Sequence, residues 1–243
     1  MFKNLCFNDS IKAMRVNVFT DSIDYDLAKS DAIVSIDVLR SSTTILTALA
    51  NGAERVIPVS TVEEALRIGR KINAIIGGEV ESVKPSSFHL GNSPLEYTPD
   101  MVNGKTVVLY TSSGARLLRF LALFSKKVLI GALINLSALV DYLIRQDFKE
   151  VSIITAGKMG QPALEDSYCA GLIAKRLPWN ECNKNAEIAM RISEMSSEVV
   201  KVARHASELI RLGLEEDVNY SLSLDSVNIV AGLDSSMGCI PLP

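Results

Sequence analysis

The chain has 243 residues, enough for one large α/β domain or two small ones with a sizeable core. Hydrophobic residues make up 48% and charged residues 22%, the balance of a globular, enzyme-sized protein rather than a disordered or fibrous one. A net charge of −3, with no basic arm or Lys/Arg block, argues against nucleic acid as a main partner, so a small anionic ligand needs a local positive site.

The opening "MFKNLCFNDSIKAMR" has no long apolar core and does not read as a signal peptide. Later apolar stretches are interrupted before they reach bilayer-spanning length, so no membrane partner is expected. Cys6, Cys169, Cys182 and Cys239 are scattered, with no C-x-x-C pair and no histidine at ligand spacing. Reduced thiols in a cytoplasmic protein, rather than zinc, are the expectation. "MRVNVF" (14–19) alternates as a strand, and "DAIVSIDV" (31–38) reads as a more buried one. Residues 42–51 carry Ile45, Leu46, Leu49 and Ala50 on one helical face, with Gly52 as a stop. "ERVIPV" (54–59) is a strand. "TVEEALRIGRKI" (61–72) opens with Thr61 and has Glu64 three residues on, a capping-box signature. "NAIIGGE" (73–79) is a strand ending in two glycines and an acid, and 80–104 is the longest irregular segment.

The pattern then recurs. "KTVVLY" (105–110) is a strand, "TSSGARLLRFLAL" turns it into a helix, "KKVLIG" (126–131) is a strand and "NLSALVDYLIRQ" (135–146) a helix. This suggests an internal strand-helix duplication, with halves near 31–79 and 105–177, although residue identity between them is weak. A further strand-turn-helix fills 150–177. Residues 185–212 read as one long helix ended by Gly213, and "VNYSLSLD" and "SVNIVAGL" as closing strands. No linker interrupts the chain, so a single domain is expected. Alternating strands and helices predict a three-layer α/β/α fold with a mostly parallel or mixed sheet. Its parallel strands then bring the turns after Asp37, Gly78, Tyr110 and Thr155 to one ligand-binding edge.

Those turns carry the chemistry. Helix N-termini offer unpaired N–H groups and a positive dipole end. Ser41, Ser42 and Thr43 add hydroxyls, and Arg40 adds a planar fork suited to phosphate. Ser112, Ser113 and Gly114 form a similar second turn, with Arg116 beyond it; Asn92 and Ser93 suit either a tight turn or polar ligand contacts. A helix terminus contributes only about 0.3–2 kcal/mol to anion binding, whereas phosphate monoester hydrolysis demands accelerations up to about 10²¹. Catalysis therefore calls for a metal or a covalent nucleophile. Asp37, Glu79, Glu165 and Asp166 are the acids at this edge, and oxygen-only ligands suit Mg²⁺. No Walker A motif, G-x-G-x-x-G or G-x-S-x-G is present, and Asp37 is followed by Val38-Leu39, so no D-x-D stands at the end of that strand. His89, in the long loop, suits a surface or hydrogen-bonding role; His205, within the long helical pattern, reads as structural; Trp179 reads as packing.

In order along the chain, "IDVLRSSTTILTALANGAERVIPV", "GGE", "HLGNSPLEYTP", "TSSGAR", "TAG…LEDSYCAG" and "LGLEEDV" resemble the 2-phosphosulfolactate phosphatase (ComB-like) family from about residue 31 to the end. The resemblance implies a Mg²⁺-dependent phosphatase converting (R)-2-phospho-3-sulfolactate to 3-sulfolactate and phosphate, a step in coenzyme M biosynthesis. It also implies site residues among Asp37, Arg40, Ser41, Ser42, Asn92, Ser93, Gly114 and the acids Glu79, Glu165 and Asp166. The chain departs from the family pattern at His89 and Ser113, in Val80–Ser82 where the family carries a basic Gly-rich run, and at Thr155.

Together these readings give Mg²⁺ held by two or three of Asp37, Glu79, Glu165 and Asp166. Arg40 and the two hydroxyl turns hold the substrate's anionic groups. Asp37 and Asp166 stand as the catalytic acids, either orienting a water or, for Asp37, forming an aspartyl-phosphate. The partner is a small phosphorylated anion, and a homo-oligomer is left open. A phosphatase for another 2-phospho-hydroxyacid and a non-catalytic anion binder of the same fold are the competing readings.

Overall fold

The computed structural model describes residues 12–20, 30–123, 127–158, 161–234, 236 and 238–243. The expectations for the first eleven residues, Cys6 included, lie outside the described residues. Ten strands are described: β1 (Met14–Phe19), β2 (Ala32–Ile36), β3 (Arg55–Val59), β4 (Ile75–Gly78), β5 (Thr106–Tyr110), β6 (Val128–Gly131), β7 (Glu150–Thr155), β8 (Trp179–Cys182), β9 (Val230–Asp234) and β10 (Gly238–Leu242). The described helices are α1 (Ser41–Ala50), α2 (Val62–Ile72), α3 (Pro99–Val102), α4 (Gly114–Leu121), α5 (Leu136–Arg145), α6 (Leu164–Arg176), α7 (Lys184–Ile192), α8 (Ser197–Lys201), α9 (Arg204–Arg211) and α10 (Glu215–Ser221). None is long and apolar enough to cross a membrane.

The strands form one mixed sheet in the order β4-β5-β3-β10-β9-β6-β2-β7-β1-β8. Helices on its faces complete a three-layer α/β/α architecture. Strand alternation assigns the layers: Ala32, Val34 and Ile36 of β2 join one core with α5, α6 and α7, while Ile33, between Ala32 and Val34, joins α1 and α4 in another. A third, smaller core lies under α2, around Ala65, Ile76 and Val108.

The C-terminal hairpin β9–β10 divides the sheet. β10 is antiparallel to β3, and β9 is antiparallel to β6. The parallel set β4-β5-β3 therefore runs, by pairing, opposite to the parallel set β6-β2-β7-β1-β8. This corrects the expectation that shared strand direction alone gathers the turns at one edge. The right-handed twist is about 20–25° per strand, so the five steps from β5 to β2 rotate the strands by roughly 100–125°. The carboxyl ends of β2 and β5 meet across α1 as a result: Thr111 Oγ1 and Ser41 Oγ are 3.4 Å apart. Helix α1 fills the junction, packing on β3, β6, β9, β10 and α4, and it is buried from Ser41 to Leu49. A helix enclosed this way must satisfy its own polar side chains. Thr43 Oγ1 donates to the Val38 carbonyl at 2.8 Å, Thr47 Oγ1 to the Thr43 carbonyl at 2.8 Å, and Thr44 Oγ1 to the Asn92 carbonyl at 2.9 Å.

Elsewhere local signals hold. Thr61 Oγ1 accepts from the Glu64 N–H at the start of α2, while the Glu64 carboxylate takes the Ser60 N–H, one residue upstream of the usual partner. The tail departs from expectation. Residues 185–212 form three helices, because the Ser196 side chain accepts from the Glu198 N–H and starts α8 as a new helix. Gly213 ends α9 with φ 78°, as its sequence position suggests. The "VNYSLSLD" stretch is no strand: Glu215, Glu216 and Asp217 occupy the first turn of α10, where acids favour the helix dipole. Strand pairing begins only at Val230, within the second stretch.

Candidate active site

The turn after β2 is tied to itself. The Asp37 N–H donates to Ser42 Oγ at 3.0 Å, the Ser42 N–H to the Asp37 carbonyl at 2.8 Å, and the Ser41 N–H to Asp37 Oδ1 at 3.2 Å. Asp37 thus sits against the first N–H of α1, the positive end of a helix. The second hydroxyl turn approaches from β5, where Thr111 Oγ1 accepts the Ala115 N–H at 2.8 Å and anchors the start of α4. Contact between the turns requires a residue without Cβ: a Cβ on Gly114 would lie 2.4 Å from Asp37 Oδ2 and 2.5 Å from Ser41 Cβ.

Glu79 leaves β4 beside this turn. Its Oε1 accepts the Ser112 N–H at 2.7 Å, and its Oε2 accepts the Ser82 N–H at 2.6 Å and Ser112 Oγ at 3.2 Å. Asp166, in the first turn of α6, takes the Val38 N–H on Oδ1 at 2.8 Å and the Gly157 N–H on Oδ2 at 3.1 Å, joining the turns after β2 and β7. Neighbouring Glu165 has one oxygen 2.6 Å from His205 Nδ1 of α9, and its buried Oε2 has no partner. Arg40 NH1 donates to Asp217 Oδ2 at 2.6 Å, and both side chains are 4% exposed.

These turns enclose a cavity of about 670 Å³. Of the residues anticipated from sequence, Asp37, Arg40, Glu79, Asn92, Ser112 and Ser113 line it, together with Arg116, Lys158, His205 and Glu208. Glu165 lines an adjoining cavity of about 330 Å³, which shares Lys158 and His205 with the first. Asp166 stands behind the wall as a backbone anchor. Ser42 and Thr43 turn their hydroxyls to backbone groups of their own turn, and Ser93 donates to Asp217 Oδ1 at 2.6 Å. His89 is exposed, and its Nδ1 accepts the Ile76 N–H at 2.9 Å, a hydrogen-bonding role on the far side of β4. His205 is not simply a structural helix residue, because its ring faces the cavity and Glu165.

The electrostatics are those of crowded acids. Burial pushes the Asp37 carboxyl up to about 6; Glu79 and Glu165 push the same way, opposed by His205 and the Ser41 N–H. Burial likewise raises Asp166 well above the usual carboxylate range, reinforced by Glu165 and Asp37. At the rim, Lys158 and Arg204 both bind Glu208 and lower its carboxyl to about 2. Among the described residues no three Asp, Glu, His or Cys groups already stand as a metal-ligand set. The donor chemistry still fits a hard divalent cation: the acids offer carboxylate oxygens, and the orphaned Glu165 Oε2 lacks any counterpart.

Two residues escaped the sequence reading. Asp217 follows Glu215 and Glu216 and looks like an ordinary first-turn acid; only its place in the "LGLEEDV" block set it apart. His205 lies in a helical pattern that gives no sign of what its ring faces.

A cavity combining a buried guanidinium with clustered acids and backbone-rich turns places the chain among α/β proteins suited to small phosphorylated anions. A family model described as 2-phosphosulpholactate phosphatase matches residues 19–236. A protein of Thermotoga petrophila named "Probable 2-phosphosulfolactate phosphatase" is 41% identical over 204 residues, covering 82% of this chain and 88% of the relative. Proteins with the same name from Thermotoga maritima and Clostridium tetani are 40% identical over 204 residues and 38% identical over 221, covering 88% and 94% of those relatives. The chain belongs to the 2-phosphosulpholactate phosphatase family, and with it to the phosphoric monoester hydrolases.

Proposed function

We propose that this chain hydrolyses (R)-2-phospho-3-sulfolactate to 3-sulfolactate and phosphate, using Mg²⁺, in the cytoplasm and as a step of coenzyme M biosynthesis. The observation that carries the reading is the convergence of Asp37, Arg40, Glu79 and Ser112 on one cavity, with Glu165 beside it. Arg40 offers its remaining N–H donors to phosphoryl oxygens. The Ser112–Ser113 turn and the Asn92 amide supply further polar contacts along the same wall. Asp37 orients the attacking water and accepts its proton as the P–O ester bond breaks, and the leaving alkoxide takes up a proton from solvent. Asp37 as a covalent nucleophile reaches the same products in two steps: its carboxylate displaces the alcohol to form an aspartyl-phosphate, and water then hydrolyses that acyl phosphate to release phosphate and restore the carboxylate. Mg²⁺, held by two or three of Asp37, Glu79, Glu165 and Asp166, supplies Lewis-acid stabilisation of charge on the phosphoryl oxygens.

The test is phosphate release from phosphosulfolactate with Mg²⁺ and with EDTA. Release that needs the cation supports the reading; equal rates remove the metal from it, and no release removes the substrate. A second reading, a phosphatase for another 2-phospho-hydroxyacid, is favoured by one observation. Val80, Ser82 and Ser113, all departures from the family pattern, line the cavity. A panel including 2-phospholactate separates the two by kcat/KM.

A further inference from the structure

We infer that Asp217 is a positioning residue for Arg40, holding its guanidinium and the Asn92–Ser93 segment in one arrangement; the inference rests on the proposed phosphoryl chemistry. Asp217 does not line the cavity, whereas Arg40 and Asn92 do. Its Oδ2 accepts from Arg40 NH1 at 2.6 Å and its Oδ1 from Ser93 Oγ at 2.6 Å, so both oxygens are used. The residue is 3% exposed and comes from α10, more than a hundred residues in sequence from either partner. Thr44 Oγ1 fixes the neighbouring Asn92 carbonyl at 2.9 Å, so two independent bonds hold the 92–93 segment to the Arg40 side of the cavity.

The energetics point to geometry rather than attraction. A buried pair of opposite charges is close to neutral overall, and pairing with a carboxylate weakens the pull of Arg40 on an anion. What the pair supplies is orientation. A guanidinium presents its donors as a rigid planar fork, and fixing one nitrogen fixes the directions of the others. A long arginine side chain without such a partner would sample several rotamers. The Ser93 bond couples that orientation to the segment carrying the Asn92 amide. Asp217 thereby sets the spacing between two walls that face the same ligand.

The experiment compares Asp217→Asn, Arg40→Ala and the double variant. Asparagine keeps the shape of the aspartate and can still accept from Ser93. Misplacement of an oriented group costs up to about 10²-fold in rate, so Asp217→Asn is expected to lose about that much in kcat with a smaller change in KM. Added guanidinium ion, at millimolar concentration, should partly restore Arg40→Ala, because Asp217 still provides its seat. It should not restore Arg40→Ala/Asp217→Asn. Wild-type kinetics in Asp217→Asn, or equal rescue with and without Asp217, would overturn the assignment. If Asp217→Asn does not fold, the rescue comparison remains, because the double variant leaves neither charge buried alone. If the wild type releases no phosphate at all, the proposed function fails. The positioning role is then read calorimetrically from inorganic phosphate binding: a dissociation constant at least tenfold weaker in Asp217→Asn supports it, and equal affinity refutes it.

Discussion

A Cβ on Gly114 would stand 2.4 Å from Asp37 Oδ2, closer than real side chains approach. The same atom would lie 2.5 Å from Ser41 Cβ, so neither neighbour offers room. The glycine lets the start of α4 rest directly on the turn after β2. Gly114→Ala should therefore separate the two turns that form one wall of the cavity. Overpacking of this kind costs about 1–3 kcal/mol, and activity should fall far more than stability. A melting curve and kcat/KM on the same preparation check this. Near-wild-type turnover in the variant would show that the contact has no bearing on the site.

Glu165 leads to a prediction about cation binding. Its Oε2 is buried without a partner, and three more acids surround the same region. If Mg²⁺ binds there, it stabilises the folded protein by mass action, about 2.7 kcal/mol at a hundredfold excess over Kd. For a chain of 150–250 residues each kcal/mol shifts Tm by roughly 2–4 °C, so a rise of about 5–11 °C is expected. Glu165→Gln should fold and lose most of that rise. A Tm insensitive to Mg²⁺ and EDTA in the wild type would argue against any cation in these acids.

Arg116 bears on selectivity. It lines the cavity beside Ser112 and Ser113, on the solvent side, as an exposed cation. Exposed charge pairs are worth about 0.2–1 kcal/mol. Arg116→Ala should thus raise KM for a substrate bearing a sulfonate by up to about fivefold, with kcat little changed. The KM for 2-phospholactate, which lacks the sulfonate, should move less. Equal changes for both substrates would place Arg116 outside recognition.

Much of the fold is legible because the strands and their following helices carry strong local patterns. Asp37 and Glu79 are found from sequence because each ends a buried strand, where an acid has no structural reason to stand. The hydroxyls of Ser42 and Thr43 mislead for a physical reason. They resemble phosphate donors, but the burial of α1 on every side obliges them to satisfy backbone groups of the turn. Asp217 is hidden because its significance is a pairing with a residue 177 positions away. The meeting of the turns was expected for a different reason, a single strand direction. It depends instead on a hairpin from the last residues of the chain and on accumulated twist. The single helix read across 185–212 shows the same limit. Apolar spacing persists through breaks that a serine cap decides.

The cysteines give a prediction of alkaline behaviour that is independent of the active site. Cys239 lies in β10, paired against Val56 of β3, where the hairpin joins the first parallel set. Burial pushes its thiol up from 9.0 to about 12. The folded state therefore holds this proton over a range in which the unfolded chain releases it. Unfolding then releases a proton, so stability declines as pH rises from about 9 to about 12 and is unaffected by this group below that window. Tm measured between pH 8.5 and 10.5 should fall, and Cys239→Ala should fall less steeply even though the smaller side chain lowers its absolute Tm. Cys169, also raised by burial, should behave like Cys239 toward thiol reagents, whereas half-buried Cys182 is the accessible one among the described residues. In a Cys6→Ser background, a chromogenic disulfide reagent at pH 8 should titrate one thiol in the native protein and three in urea. The same pH slope in Cys239→Ala as in the wild type, or three thiols reacting without denaturant, would show that the seam between β3 and β10 opens in the native state.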